Sequence, residues 1–373
     1  MVGASGSAKS TIVAAFYDGK TTYFLNHITK NTLASGQLKN IEKDLAPKLN
    51  GKLVITGDLA QFVKLHSEEK GAIYAQLREA YDGRIQRDTG SGVHTFYENN
   101  YFDWLACSTP IIDEELILKN ELGTRELIYR LPKENSEGEN EQKLMERVWV
   151  NTEHHEQMKS ELKNAVQSFF LNWKGMPLTV EISDQIKNEI FKYAKFIAQL
   201  RATAEVDWRT GDLQNFISVE DPTRVFEQLK MLFQCLKSID SSVTDEYVLK
   251  CIFEIVKSNI HPVRLKILLT VLEKGELFTT QIARVVGLSY STTNRELQIC
   301  KQLEILVKTT KTDSFGKDVY FWSLNQLHSL YGLLKRFNPS SDRKNEENTQ
   351  IIPQRMMTPP VGGERRNYHG TQI

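Results

Sequence analysis

The segment Gly3-Ala-Ser-Gly-Ser-Ala8-Lys9-Ser10 has the residue types and the spacing of a phosphate cradle. It fits the pattern G-x-x-x-x-G-K-[ST] except at Ala8, which stands where the second glycine belongs. In such a loop successive backbone N–H groups point at phosphate oxygens. Gly3, Gly6, Ser7, Ala8, Lys9, Ser10 and Thr11 are therefore the candidate nucleotide-binding residues. Lys9 would set a point charge on the β/γ-phosphates, and the Ser10 hydroxyl would bind Mg²⁺. Alanine at the second glycine position costs freedom at positive φ. A small-residue turn that starts a helix by chance reads the same way, so the rest of the chain has to decide.

Further along, "GKLVITGDLAQF" gives a short apolar strand, Leu53 to Thr56, ending near Asp58. A strand of this form can deliver a carboxylate to Mg²⁺ at the C-terminal edge of a parallel sheet, so Ser10 and Asp58 are the candidate metal ligands. Leu59 follows where a water-activating Glu is common, and Glu68 or Glu69 as base would be guesses. "YFDWLACSTP" is a second apolar strand, and its polar tip offers Thr109 to orient water near a terminal phosphate. Arg125 precedes a third apolar run, Leu127 to Leu131, where an arginine can reach a neighbouring subunit's nucleotide. Such a finger is worth ~10³–10⁵ in rate. A turn aspartate and a solvated arginine are the plain alternatives.

These residues need elements to hold them. The 373 residues suffice for two or three domains. With 40% hydrophobic and 25% charged residues and zero net charge, any affinity for nucleic acid must come from a local patch. Four scattered cysteines form no C-x-x-C pair, which argues against a zinc knuckle or a disulfide framework. No signal peptide or membrane-spanning run is evident, so a cytoplasmic protein without membrane contact is expected. Residues 1–132 alternate short apolar runs with helical patterns, as an α/β core does. A polar loop is expected at 133–144, a helical region at 145–258, and a disordered tail at 337–373. The pair His154–His155 points in two directions on a helix and suits a solvated helix start better than a metal site.

The stretch between 262 and 325 carries its own pattern. Pro262 starts a helix ending near Gly275, Thr279 or Thr280 caps a short helix, and Ser289 caps a longer one from Tyr290. Two alternating strands around a polar tip follow. Helix, helix-turn-helix and two-stranded wing is the winged-helix DNA-binding arrangement, assigned to 259–330. Ser291, Thr292, Thr293 and Arg295 are placed to enter a major groove, and Lys308, Lys311 and Lys317 to meet phosphates. Nine Lys/Arg against six Asp/Glu make the module mildly basic. A protein-contact role is the alternative.

The text "AQLREAYDGRIQRDTGSG…DWLACSTP…ELGTRELIYRLP" resembles the AAA+ clade that holds MCM-type helicases and related chelatase and enhancer-binding ATPases. More closely, "APKLNGK" and "QLREAYDG" resemble ATP-binding proteins of prokaryotic genomes and mobile elements. The likeness covers about 1–235. It implies a P-loop NTPase (AAA+) core of α/β class, an α-helical lid and a winged helix-turn-helix domain, with ATP and Mg²⁺ as cofactors. It also implies a β-hairpin insert at Arg84–Tyr97, whose Arg84, Arg87 and His94 would grip DNA, and a lid arginine coupled to the nucleotide. That arginine is Arg224 after Pro222, with Arg201 as rival. The family carries a strand before its loop, so the core is expected to be incomplete at its N-terminus. The activity implied is an ATP-dependent helicase, translocase or replication-initiation factor in a homo-oligomeric ring on DNA. Alternatives are a nucleotide-gated transcription regulator and a hydrolysis-deficient fragment that binds DNA through its winged helix.

Overall fold

The computed structural model describes residues 1–36, 42–88, 90, 92–115, 125–132, 141–173, 180–202, 219–240, 242–312, 316 and 318–337. Lys317, residues 133–140 of the expected loop and residues 338–373 of the expected tail lie outside these. The first part runs α1 (Lys9–Ala14), β1 (Thr22–Phe24), α2 (Ala46–Leu49), β2 (Leu53–Thr56), α3 (Ala60–Val63) and α4 (Ser67–Tyr81). The hairpin β3 (Arg84–Asp88) and β4 (His94–Glu98) and then β5 (Asp103–Ala106) complete it.

Strands β1, β2 and β5 pair in parallel in that order, with Val54 opposite Tyr23 and Trp104. Val54 and Ile55 are fully buried, as a central strand covered on both faces requires. The sheet continues beyond β5. Val2 bridges in parallel to Ser108 on one side and to Arg130 on the other. The Gly3 N–H donates to Ser108 O at 3.2 Å, the Val2 N–H to Tyr129 O at 2.8 Å and the Leu131 N–H to Val2 O at 2.8 Å. Across the sheet the order is thus 22–24, 53–56, 103–108, 1–3, 129–131. Of the apolar run expected at Leu127–Leu131, only the last three residues join the sheet. The loop at Gly3 leaves from an interior position of the sheet, with neighbours on both sides.

The turn from α4 into the hairpin needs Gly83. Its φ is +75°, and a Cβ there would lie 2.3 Å from the Tyr101 ring. The Asn100 N–H closes the hairpin base on Gly83 O at 3.0 Å.

Two exposed helices, α5 (Glu141–Glu153) and α6 (His155–Asn172), follow. Helix α5 begins at Glu141, so residues 141–144 of the expected loop are helical. His154 and His155 sit exposed at the break between the helices. Helices α7 (Asp184–Arg201), α8 (Thr223–Ile239) and α9 (Asp245–Ser258) then pack as a trio. Their inward residues repeat every third or fourth position: Ile186, Ile190, Tyr193 and Ile197 on α7; Val225, Leu229 and Phe233 on α8; Val248, Ile252 and Val256 on α9. That spacing puts each set on one helix face. Ser183 Oγ caps α7, and Thr244 Oγ1 caps α9 by accepting the Tyr247 N–H at 3.3 Å.

Helices α10 (Pro262–Lys274), α11 (Thr279–Val286) and α12 (Tyr290–Gln302) precede the hairpin β6 (Leu306–Thr312) and β7 (Asp318–Leu324). Strands β6 and β7 pair antiparallel from Leu306–Leu324 to Thr312–Asp318, and Leu277 adds a bridge to Trp322. Ser289 Oγ accepts the Thr292 N–H at 3.1 Å, as its place before α12 predicts. The cap expected of Thr279 or Thr280 is not formed, because both lie within α11, which starts after Phe278. Thr279 lies inside α11, and its hydroxyl accepts the indole N–H of buried Trp322 at 2.9 Å. The last helix, α13 (Tyr331–Lys335), delivers Phe337 between Phe196 and Phe253, with ring centroids 5.3 and 4.6 Å away. Phe337 therefore belongs to the core and not to the tail. Among the described residues no helix is long and apolar enough to cross a membrane.

Polar side chains bind the three parts together. Arg130 forks onto Asp113 at 2.6 and 2.9 Å and donates to Ser258 O at 3.0 Å. Asn259 exchanges hydrogen bonds with the backbone of Ile128 at 2.9 and 3.0 Å. Arg264 pairs with Glu296 at 3.0 Å and reaches Leu200 O and Ala202 O at 2.8 and 2.7 Å, all buried.

Candidate functional site

The loop from Gly3 to Ser10 turns back on itself at the interior of the sheet. Gly6 sits at φ +80° and Ala8 at φ 55°, ψ 11°. Ala8 therefore occupies the left-handed conformation that the missing glycine would have eased, at a cost of about 1–2 kcal/mol. Strain of this kind concentrates where a site over-determines the backbone. A Cβ on Gly3 would stand 3.0 Å from Ser7 Oγ and 3.3 Å from Leu131, so a larger residue at the loop start would need those side chains to shift.

Lys9 is the unusual member. It is only 7% exposed, and its ammonium donates to Ala4 O at 2.5 Å and to Ser7 Oγ at 3.1 Å. Both are neutral oxygens; among the described residues no carboxylate pairs with it. A buried cation without an anion is unfavourable on its own and favourable to an anionic ligand. With six residues α1 is short, so the case rests on the loop amides and Lys9 and not on a helix dipole.

The Ser10 hydroxyl donates to Gly57 O at 2.9 Å and so lies next to Asp58. Asp58 is exposed and accepts the Ala60 N–H at 2.9 Å. The two metal candidates, 48 positions apart in the chain, are thus brought to one sheet edge. Among the described residues no group of three His, Cys, Asp or Glu side chains is disposed to hold a metal. A hydroxyl and one carboxylate fit Mg²⁺, which keeps most of its shell for phosphate and water. Thr109 follows Ser108, the partner of the Gly3 N–H, at the same edge. Cys107 senses the grouping: burial pushes its thiol up, the N-terminal amine and Lys9 pull it down, and Asp58 pushes it up. The Leu59 N–H is bound to Cys107 O at 2.8 Å, and no carboxylate occupies that position.

The arginines gather elsewhere. Arg125 stands over the Tyr81 ring, 5.7 Å from its centroid. Burial lowers its pKa, and the like charges of Arg224 and Arg78 lower it further. Arg224 pairs with Glu220 at 3.1 Å. Arg201 is fully buried, and its Nε donates to Asn259 O at 3.1 Å. This contact ties the end of α7 to Asn259, and the charges of Glu126, Glu220 and Arg224 all act on Arg201, so the two lid candidates lie close together.

On α12, Ser291 and Arg295 are exposed and Thr292 half-buried. Thr293 is a correction: it is 0% exposed and donates to Ser289 O at 2.9 Å, so it faces the core and not a groove. Lys308 lies 3.9 Å from the Tyr320 ring centroid. Lys311 covers Phe321 and is ion-paired with Glu276, which offsets its charge. On the β3–β4 hairpin Arg84 is exposed, and His94 is bound to Asp88 at 2.5 Å. Arg87 is also a correction, because its guanidinium donates to the carbonyls of Lys30 and Ala34 and is not free to grip.

No known family model, no curated protein and no solved structure matches this chain.

Proposed function

We propose that this chain is an ATPase of the AAA+ class that binds ATP with Mg²⁺ and couples its hydrolysis to DNA handling, as a helicase, translocase or replication-initiation factor. The observation that carries this reading is the buried Lys9 ammonium, which faces only neutral oxygens in a strained loop beside Ser10 and Asp58. The loop amides and Lys9 would hold the phosphates, and Ser10 with Asp58 would hold Mg²⁺, which supplies neutralisation of phosphate charge. Thr109 would orient the attacking water. Arg125 would serve a neighbouring copy's nucleotide in a ring, and Arg224 would tie the lid to nucleotide state. Ser291, Thr292 and Arg295 on α12, with Lys308 and Lys311 on the wing, would meet DNA.

One observation favours a second reading. Leu59 stands where a base would follow Asp58, which suits a chain that binds nucleotide and reads DNA without turnover, as a regulator does. Phosphate release by the full chain with Mg²⁺, with and without duplex DNA, separates the two. Strong stimulation by non-specific DNA supports the motor, and nucleotide binding without turnover supports the regulator. Absence of ATP binding removes both.

A further inference from the structure

Among the described residues of α5 and α6 none is buried. Yet Met145 and Trp149 on α5 are 64% and 69% exposed, and Met158, Phe169 and Trp173 on or beside α6 are exposed as well. Met145 and Trp149 are four residues apart, and Phe169 and Trp173 follow Met158 at 11 and 15, spacings that keep each set on one helix face. The Phe169 and Trp173 rings stack, with centroids 6.4 Å apart and planes at 16°. From Asn164 to Trp173 no side chain carries a charge, and exposed Phe170 and Leu171 widen the apolar surface. A helix end that is apolar around most of its circumference belongs in an interior or an interface.

The arm made by these helices is anchored at one end. Phe170 packs on Phe16 with ring centroids 5.9 Å apart, and the Gln167 amide donates to Tyr17 O at 3.2 Å. Helical hydrogen bonds bracket the break at His154, from the His154 N–H to Val150 O at 3.2 Å and from the Met158 N–H to His154 O at 2.9 Å. At 1.5 Å per residue the kinked arm is about 50 Å long. Its apolar residues are placed symmetrically about Lys159: Met145 and Trp173 each lie 14 residues from it, and Trp149 and Phe169 each lie 10. An antiparallel pair of identical arms needs that symmetry, because a two-fold axis makes residue i of one copy meet residue j of the other and j meet i. Lys159 is itself paired with Glu156 at 2.9 Å, so two copies would meet there as neutral pairs.

The area is also that of a stable contact. At roughly 150–250 Å² for a large side chain, the exposed fractions of Met145, Trp149, Met158, Phe169 and Trp173 amount to about 400–650 Å² of apolar surface. Apolar atoms make up roughly 57% of an ordinary interface, so this corresponds to about 700–1,100 Å² in all, around the roughly 800 Å² per partner of a standard one.

We infer that the α5–α6 arm is the contact surface for a second copy of this chain. The two arms lie antiparallel about a two-fold axis near Lys159, with Trp149 of each copy on Phe169 of the other and Met145 on Trp173. Aromatic and thioether–aromatic pairing adds to the buried area, and the run from Asn164 to Trp173 has no charge to desolvate. A contact of this symmetry closes at two copies, which sets it apart from the ring contact proposed for Arg125.

The test is sedimentation velocity of the full chain over a range of concentrations, without nucleotide. A monomer–dimer equilibrium with a micromolar or tighter dissociation constant is expected, as contacts of this size give. Trp149→Glu and Phe169→Lys, both at exposed positions, should each weaken the dimer by about ten-fold or more, and circular dichroism checks that each is folded. An equimolar mixture of the two variants should associate more tightly than either alone, because the antiparallel register sets the new acid against the new base. A parent chain that is monomeric at about 100 µM, well above the affinity of such an interface, would overturn the inference and give the face to another protein or another segment of the chain. A dimer unaffected by both variants, or a mixture no tighter than its components, would overturn it as well. No residue assigned to nucleotide, Mg²⁺ or DNA lies in the arm, so failure here leaves the ATPase reading untouched.

Discussion

Replacing Lys9 by methionine should move ligand affinity and stability in different directions. The side chain is nearly buried, and its ammonium rests on Ala4 O and Ser7 Oγ alone. Two unit charges 4 Å apart interact by about 4 kcal/mol at the effective dielectric of a protein surface. Sharing the phosphate charge with Mg²⁺ lowers the part due to lysine, so a loss of about 2–4 kcal/mol is expected. That is roughly thirty-fold to several-hundred-fold in affinity. In the ligand-free protein the balance reverses. Two hydrogen bonds from a charged donor, about 1.5–3 kcal/mol each, are lost, while the several kcal/mol spent on desolvating the ammonium are recovered. Methionine keeps the stem's volume, so the melting temperature should hold or rise. The assay is equilibrium binding of a fluorescent ATP analogue with Mg²⁺, beside a thermal melt of the same samples. Affinity within about three-fold of the parent, together with a melting temperature lowered by more than about 2 °C, would show that Lys9 is a structural residue and refute the reasoning.

Asp58→Asn should leave binding of the free nucleotide nearly unchanged while removing most of the gain from Mg²⁺; the same titration run with and without the metal reads this directly. Glu296→Ala strands the buried Arg264 guanidinium and should cost about 3–5 kcal/mol, whereas the double variant Arg264→Met, Glu296→Leu should recover most of it in a denaturant melt. Burial lowers the pKa of His261 from its usual 6.5. The unfolded chain then binds the extra proton first, so stability is full above about pH 6.5 and falls as pH drops toward the folded value. His261→Gln should flatten that acid-side decline in melts taken across the range. At the wing, Glu276→Gln releases Lys311 from its ion pair and should tighten duplex binding and steepen its salt dependence by about one unit, as fluorescence anisotropy would show. Arg295→Ala should instead cost about 1–3 kcal/mol in a sequence-dependent way.

Much of this architecture is written in short-range signals of the chain. The run Leu53–Thr56 is apolar, short and flanked by glycines at 51 and 57, and it forms the strand expected of it. Ser289 caps α12 because a hydroxyl at that position can reach an N–H three residues on, a contact contained entirely in the local sequence. The hairpin Arg84–Asp88 and His94–Glu98 lies where the resemblance, and not a local signal, implied an insert. What is not legible depends on partners distant in the chain. Thr279 reads as a cap until Trp322, 43 residues away, claims its hydroxyl. Thr293 and Arg295 look equivalent in the text, and only the packing of α12 decides that one faces the core. Arg87 reads as a free cation until the backbone at 30–34 comes to meet it. Arg264 and Glu296 carry no motif at all, because a buried ion pair is specified by the fold around it and not by spacing.

Those unread residues bear on how nucleotide and DNA could be linked. The strand holding Tyr129 and Leu131 is hydrogen-bonded to Val2, the residue before Gly3. From that strand Arg130, and from the residue just before it Ile128, bind Ser258 and Asn259, where the helical trio hands over to α10. Asn259 also receives Arg201 from α7, while Arg264 on α10 grips Glu296 on α12 and the end of α7. The chain of contacts from the loop to α12 is therefore short and made of hydrogen bonds with buried charge. Such contacts lose most of their energy over a small displacement, whereas apolar packing can slide. A rearrangement at Gly3 that shifts Val2 must either carry the junction with it or break hydrogen bonds, several of which are buried. The first is the cheaper outcome, and it makes the junction a rigid lever between the loop and α12.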